Sequence, residues 1–347
     1  MKASRVVKIR LDSFGQTLRM QKGCFVVSDK NGESKKYPLI ENEVGEVVLA
    51  SGNTASIGAL VHLSLWNVDT LLLTARGQPV GTLRSLHSDC HVSTRLAQYK
   101  ALENGKGIHI AKEVTKARIM SQNLLLRKYG LRQHDLIRIR EKIEQIETDN
   151  LKALRKKLLP LEGHLTDRYF SQVFQLIAAG IRTSNNRTTY RAYDALNNNF
   201  NFVYTLLKWK VHASLVKAKL EPFLGFLHSE QYGKPSLTCD VMEPYRCLAD
   251  DFLIGYSESI KKKDIVVKPE KYVRTKAGKR EYLNDSKTRD MRNAFYSYLE
   301  QKVDIPRIKH GNRQSVETLI AEECLLLAKY LRGERKTWIP RIVNLRC

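Results

Sequence analysis

The run Val6-Val7-Lys8-Ile9-Arg10-Leu11 ends in alternation of apolar and basic residues, the period of a half-buried strand. Three more short runs follow: Cys24-Phe25-Val26-Val27, Tyr37-Pro38-Leu39-Ile40 and Glu46-Val47-Val48-Leu49. Gly, Asn and Asp separate them, so each is expected to be a strand. Residues 57–66 predict one short helix with Ser56 as its cap. Residues 68–73 predict a buried strand, and residues 77–80 turn the chain again. From about His91 the period becomes helical, at Ala97 and Ala101 and over residues 108–129, 136–146, 165–181, 198–219 and 316–331. Residues 266–280 show neither period and are expected to be irregular. The fold class is therefore α+β. A small β-rich domain over residues 1–88 precedes a larger, mostly α-helical domain over residues 89–347.

Composition narrows the partners. Of the 347 residues 42% are hydrophobic, enough for real cores. The 59 Lys and Arg against 36 Asp and Glu leave a net charge of +23. Such an excess points to a polyanion, nucleic acid above all, because neutralised phosphates release counterions. The six cysteines are scattered with no short CxxC pair, which argues against a disulfide framework and a four-cysteine zinc ribbon. The opening MKASRVVKIRLDSFG has no apolar stretch suited to a secretion signal, and no run of about 18 apolar residues occurs. A reducing, cytoplasmic setting is expected. No fixed-period repeat or low-complexity tract is present.

The segment with the most chemistry is GFLHSEQYGKPSLTCDVMEPYR, residues 225–246. Two readings fit it. In one, His228 is a structural histidine, Asp240 caps a helix that begins there, and Glu243 stands at the third position of a capping-box variant. In the other, His228, Asp240 and Glu243 gather at a metal. Carboxylates with one imidazole would suit Mn²⁺ or Mg²⁺ with retained waters rather than a closed zinc site. An ion held so by a basic protein suits phosphoryl transfer on a nucleic-acid backbone. Glu162, in Pro160-Leu-Glu-Gly163, reads as an acid just ahead of a helix, where it complements the helix dipole. His87-Ser-Asp-Cys90-His91 has metal-capable side chains but no matching second half. The glycines of residues 75–81 read as a hairpin, since no GKS or GKT follows. The stretch RTSNNRTTYR, with Arg187, reads either as a solvated loop or as a phosphate-contacting one. Trp209 reads as a core residue of its helix.

Together these segments resemble the integrase family of CRISPR adaptation, the first of the Cas proteins (Cas-one). The resemblance rests on Glu162-Gly163 followed by Tyr169-Phe170, then on Arg187, Asp194, Asn197, Asn201 and Tyr204. It continues through Gly225-Phe-Leu-His228, Pro235-Ser-Leu237 and Asp240-Val-Met-Glu243-Pro-Tyr245-Arg246, with Asp250 trailing. Residues 326–331, Trp338-Ile-Pro340 and, in the first domain, residues 47–63 and 77–81 extend it over nearly the whole chain. Departures are His164, Thr166 and Asp167 after the Glu-Gly, Cys247 after the Tyr-Arg, and Asn185 and Asn186 in the basic segment.

The resemblance implies a β-rich domain that forms homodimers and a helical domain that carries a metal site. It implies Glu162, His228 and Glu243 as catalytic ligands of Mg²⁺ or Mn²⁺, with Asp240 beside them. It also implies double-stranded spacer and repeat DNA as partners, together with the small protein Cas-two. Arg187, Lys234 and Arg246 are the expected DNA contacts. The expected activity is metal-dependent DNA cleavage and the joining of spacer 3′-hydroxyls to repeat DNA. A basic scaffold without catalysis and a structure-specific repair nuclease are the alternatives.

Overall fold

A computed structural model describes residues 5–39, 42–75, 77, 79–83, 85, 92–190, 192–269, 278–303 and 314–345. The chain divides into two compact units, Met1–Cys90 and His91–Cys347.

The described residues of the first unit form two four-stranded sheets and one helix. Its strands are β1 (Arg5–Leu11), β2 (Thr17–Gln21), β3 (Cys24–Ser28), β4 (Ser34–Pro38), β5 (Asn42–Ala50), β6 (Thr54–Ala55), β7 (Asp69–Leu73) and β8 (Pro79–Leu83). Helix α1 (Ile57–Leu65) lies between β6 and β7, with the Ser56 side chain accepting from the Ala59 amide as expected. One sheet runs β1-β5-β7-β8 and the other β4-β3-β2-β6. β1 and β5 are parallel, with Ile9 opposite Val47. The unpredicted β2 pairs with β3 across a two-residue turn. Lys22 (φ 48°) and Gly23 (φ 72°) are both left-handed there, the backbone that twists a tight hairpin correctly. Ile9, Leu11, Leu18, Phe25, Val47 and Leu63 form its fully buried core.

The second unit is built on helices α2 (Val92–Lys100), α3 (Lys106–Lys128), α4 (Leu136–Glu144), α5 (Leu151–Val173) and α6 (Ala195–Lys217). After these come α7 (Ser236–Met242), a 3₁₀ turn (Glu243–Tyr245) and α8 (Arg246–Ser257). The remaining elements are β9 (Ile265–Pro269), β10 (Lys279–Leu283), α9 (Asp285–Glu300), β11 (Lys302–Val303), β12 (Gln314–Ser315) and α10 (Val316–Leu331). α3 is the central element and packs against α5, α7, α8 and the 3₁₀ turn. Its row Ile110, Val114, Arg118, Gln122, Leu126 recurs every four residues and lines one face. No helix among the described residues is long and apolar enough to cross a membrane.

Three expectations are corrected. Residues 265–269 and 279–283 are not irregular but an antiparallel pair, with Val267 opposite Glu281. Both strands are only partly buried, so neither shows a clear alternation. α9 was not expected at all, although its buried Met291, Phe295 and Leu299 stand four apart. α5 starts fourteen residues before the expected position and runs through Pro160, so Glu162 lies inside the helix and not ahead of it.

α5 begins at Asn150, whose side chain accepts from the Lys152 amide at 2.8 Å and the Ala153 amide at 3.3 Å. That cap satisfies two of the helix's unpaired donors. Asn150→Ala is expected to lower the free energy of unfolding by about 1 kcal/mol in urea denaturation. An unchanged midpoint would show that α5 does not depend on its cap.

Candidate active site

Glu162 belongs to the buried row Leu154, Leu158, Glu162, Leu165, Tyr169 of α5, so its carboxylate is directed inward and is only 5% exposed. A charge at that depth needs partners.

His228 sits on a turn that two elements hold from opposite sides. From α7, the fully buried Asp240 accepts from three consecutive amides. Its Oδ2 takes Phe226 N at 2.6 Å and Leu227 N at 3.0 Å, and its Oδ1 takes His228 N at 2.9 Å. From α5, Arg155 donates through Nε to the Phe226 carbonyl and through Nη2 to the Gly225 carbonyl, each at 2.8 Å. Gly225 is required at this approach: a Cβ there would stand 2.7 Å from the Ser236 backbone carbon. Asp240 therefore does not cap its own helix, which begins four residues earlier at Ser236. It caps a distant turn instead.

Asp240 Oδ1 also lies 2.7 Å from His228 Nδ1. This contact places the proton of a neutral imidazole on Nδ1 and leaves Nε2 as a donor to a metal. Nε2 stands 3.8 Å from Glu243 Oε1. Burial opposes the charged imidazole, but the Asp240 carboxylate outweighs it, so the His228 pKa stands above its ordinary value.

Glu243 opens the 3₁₀ turn that continues α7 and is completely buried. Arg118 Nη1 lies 3.1 Å from Glu243 Oε2 and 3.4 Å from Glu162 Oε1. Arg246 Nη2 lies 3.0 Å from Glu243 Oε1. Burial pushes the Glu162 carboxyl above the usual range and Arg118 offsets only part of this. Glu243 is buried too, but Arg118, Arg246 and His228 together bring its pKa below the usual range. Glu162 Oε1 and both Glu243 carboxylate oxygens lack an aligned hydrogen-bond donor among the described residues. The structure thus brings Glu162, Glu243 and His228 to one place, with Asp240 behind the histidine. Among the described residues no three His, Cys, Asp or Glu side chains stand close enough to share an ion as placed, Arg118 being the link between the two glutamates. The His87–His91 candidate lies outside the described residues.

The expected DNA contacts fall in different settings. Lys234 lines a cleft of about 720 Å³ with Lys152, Arg155 and Lys156, and His228 stands at its wall. Arg246 is tied to Glu243 and lies over the Tyr204 ring at 5.1 Å. Arg187 faces inward. Its guanidinium donates to Asn201 Oδ1 at 2.6 Å and Asn197 Oδ1 at 3.1 Å, and it lies within 5.8 Å of the Phe170, Phe200 and Tyr204 ring centres. It fastens its loop to α6.

Sequence reasoning missed Arg118 and Arg155. Arg118 left a signal, a lone cation in the apolar row of α3; Arg155, which donates to carbonyls, left none. Beneath the site, Asp250 accepts from Tyr204 at 2.6 Å and from Tyr169 at 2.7 Å. Burial pushes its carboxyl up to about 6, with the two hydroxyls, Arg187 and Arg246 opposing.

Two outcomes follow. Asp240→Asn exchanges one acceptor oxygen for a donor facing amide donors, so it should lower stability by about 1–3 kcal/mol. If the site takes Mn²⁺, the affinity of this variant should be roughly 10–100-fold lower through the loosened histidine, read by calorimetry. Full-strength Mn²⁺ binding would remove Asp240 from the orientation of His228. The folded pKa of Asp250 lies above the ordinary 3.8, so its contribution to stability is complete below about 4 and is lost as pH rises through about 6. The melting temperature of Asp250→Asn relative to wild type should therefore rise between pH 4 and 7, by the equivalent of roughly 3 kcal/mol. A constant difference would contradict the shift.

The family model for CRISPR associated protein Cas1 matches residues 9–288. A CRISPR-associated endonuclease Cas1 of Korarchaeum cryptofilum is 26% identical over 365 residues, covering 99% of this chain and 99% of its own. Two solved structures are similar in fold. A casposase bound to integration product gives a TM-score of 0.74 at 20% identity, over 96% of this chain and 92% of that one. A Cas6-RT-Cas1–Cas2 complex gives 0.72 at 19% identity, over 99% of this chain and 36% of that one. With its sheets followed by helices and a family match over most of its length, the chain belongs to the Cas1 family.

Proposed function

We propose that this protein is a DNA endonuclease and integrase of CRISPR adaptation, and that Glu162, His228 and Glu243 would hold one Mg²⁺ or Mn²⁺ ion. The observation that carries this is a directed imidazole 3.8 Å from Glu243 Oε1, with Arg118 linking Glu243 to Glu162 and three oxygens of the two glutamates lacking an aligned donor, beside a basic cleft. Two carboxylates and one imidazole suit a hard divalent cation that retains waters. When bound, such a cation supplies charge stabilisation at the phosphate under attack.

The chain's own groups do the rest. Asp240 holds the proton of the neutral imidazole on Nδ1, so that Nε2 faces away from it with a free lone pair, and fixes the ring in direction. Lys152, Lys156 and Lys234 attract the phosphate backbone into the cleft, and the +23 charge adds long-range attraction. Attack by the 3′-hydroxyl of spacer DNA on a repeat phosphate would form a new P–O bond as the old P–O3′ bond breaks and the repeat strand leaves with a 3′-oxygen that takes up a proton; attack by water would break the same bond and cut the strand. Arg246 braces Glu243, and Arg187 acts on DNA only through the loop it fastens. The small unit serves as the homodimer contact, and the small protein Cas2 as the partner, as membership of the family suggests. The reaction takes place in the cytoplasm.

His228→Ala should lower Mn²⁺-dependent cleavage and strand transfer by about a hundredfold or more, at least the loss typical of removing an outer partner. Mn²⁺ should raise the wild-type melting temperature, and Glu162→Ala should lose that gain. A His228→Ala protein that cuts and joins normally would refute the site. DNA binding without metal-dependent chemistry would instead mark a scaffold. Cleavage without transfer into a supercoiled, repeat-bearing plasmid would mark a repair nuclease.

A further inference from the structure

Arg118 stands where a cation of the site would be expected to act. One nitrogen, Nη1, lies within 3.4 Å of an oxygen of each glutamate, Glu162 from α5 and Glu243 from the 3₁₀ turn. Without a positive charge between them, two carboxylates this close and this buried would repel. We propose that Arg118 is a resident counter-ion: it neutralises the Glu162–Glu243 pair in the cation-free protein, and a divalent cation binds by displacing it. This rests on the metal reading above and goes further, since it assigns Arg118 the role of setting how tightly the ion is held.

Three features favour a displaceable charge over a permanent salt bridge. First, the aligned hydrogen bond of the Arg118 guanidinium goes elsewhere, from Nη2 to Thr166 Oγ1 at 2.9 Å. Second, the carboxylate oxygens it approaches still lack an aligned donor, so its hold on them is charge attraction without the paired geometry of a bidentate arginine. Third, the two glutamates are each positioned without it, Glu162 by the buried row of α5 and Glu243 by its helical turn and by Arg246 on its other oxygen. An arginine and a divalent cation between the same two carboxylates would repel each other, so the two compete. The anchor on Thr166 gives the guanidinium a partner that does not depend on either glutamate. Arg118 is thus a positioning residue, placed by α3 at the fourth-residue spacing of its buried face.

The test uses full-length protein stripped of metal, titrated with MnCl₂ alone by calorimetry and by the electron-spin signal of free Mn²⁺. Arg118→Met keeps the bulk and removes the charge. Its Mn²⁺ Kd should fall about tenfold or more, the scale on which one nearby charge alters the affinity for a proton. Its melting temperature in metal-free buffer should fall by about 5 °C or more, because a buried charge pair has lost its partner. Mn²⁺ should then recover more of that temperature than it adds to the wild type. Arg118→Lys, which keeps a charge on a shorter reach, should tighten binding by less and serves if the Met variant does not fold. Wild-type binding with no tightening, or weaker binding, in either variant overturns the exchange and leaves the metal site standing. No Mn²⁺ binding by any of the proteins overturns the metal reading and the exchange with it.

Discussion

The carboxylate of Asp240 holds the site together. It is wholly buried, a position that costs several kcal/mol unless every lone pair is engaged. It recovers that cost by accepting from the amides of Phe226, Leu227 and His228 and from the imidazole itself. Because those amides are consecutive, one carboxylate restrains the whole turn, and Gly225 is the residue that lets it come so close to α7. Arg155 closes the other side by donating to the carbonyls of the same turn. The helix that carries Glu162 and the helix that leads into Glu243 are therefore joined through the residues that carry His228.

Around that turn the core is unusually charged. Arg118, Glu162, Glu243 and Arg246 form one layer, and Tyr204, Tyr169 and Asp250 a second beneath it. A well-packed apolar core of the same volume would be as stable or more stable. The polar layers persist within a large hydrophobic cluster because three helices of 23 residues each, α3, α5 and α6, supply the frame. Phe170, Phe200 and Tyr204 then surround the inward-facing Arg187, so even the basic loop is anchored by aromatic faces. The helices set where these charges stand, and Asp240 and Arg155 in return fix the turn that joins two of them.

What was legible in the sequence follows from how local each cause is. β1, β3 and β5 are short runs rich in β-branched residues, β7 is a short apolar run, and α3, α6 and α10 carry long rows of apolar residues. Glu162 was misplaced because a proline such as Pro160 ordinarily interrupts a helix, whereas α5 absorbs it within a 23-residue helix. The row Leu158, Glu162, Leu165 held the better signal, an acid on the buried face. β9 and β10 escaped because pairing between half-exposed strands is a tertiary fact. The site residues were recognisable as motifs, but their meeting was not: Asp240 bonds to amides twelve to fourteen positions away, and Arg118 reaches Glu243 from 125 residues earlier.

The same reasoning separates two acids that spacing alone makes equivalent. Asp240 and Glu243 stand three apart and are both completely buried. A carboxylate offers about four lone-pair positions. Asp240 fills them with four donors, two on each oxygen, which leaves none for an ion. Glu243 has charges near both oxygens and an aligned donor on neither. One acid is saturated by the backbone and acts by aiming a histidine. The other is neutralised without being saturated, and that is the condition under which a carboxylate can exchange an arginine for a metal. Capping, applied to the turn rather than to the helix, is therefore compatible with the proposed metal reading of this segment, since it uses Asp240 and leaves Glu243 unsaturated.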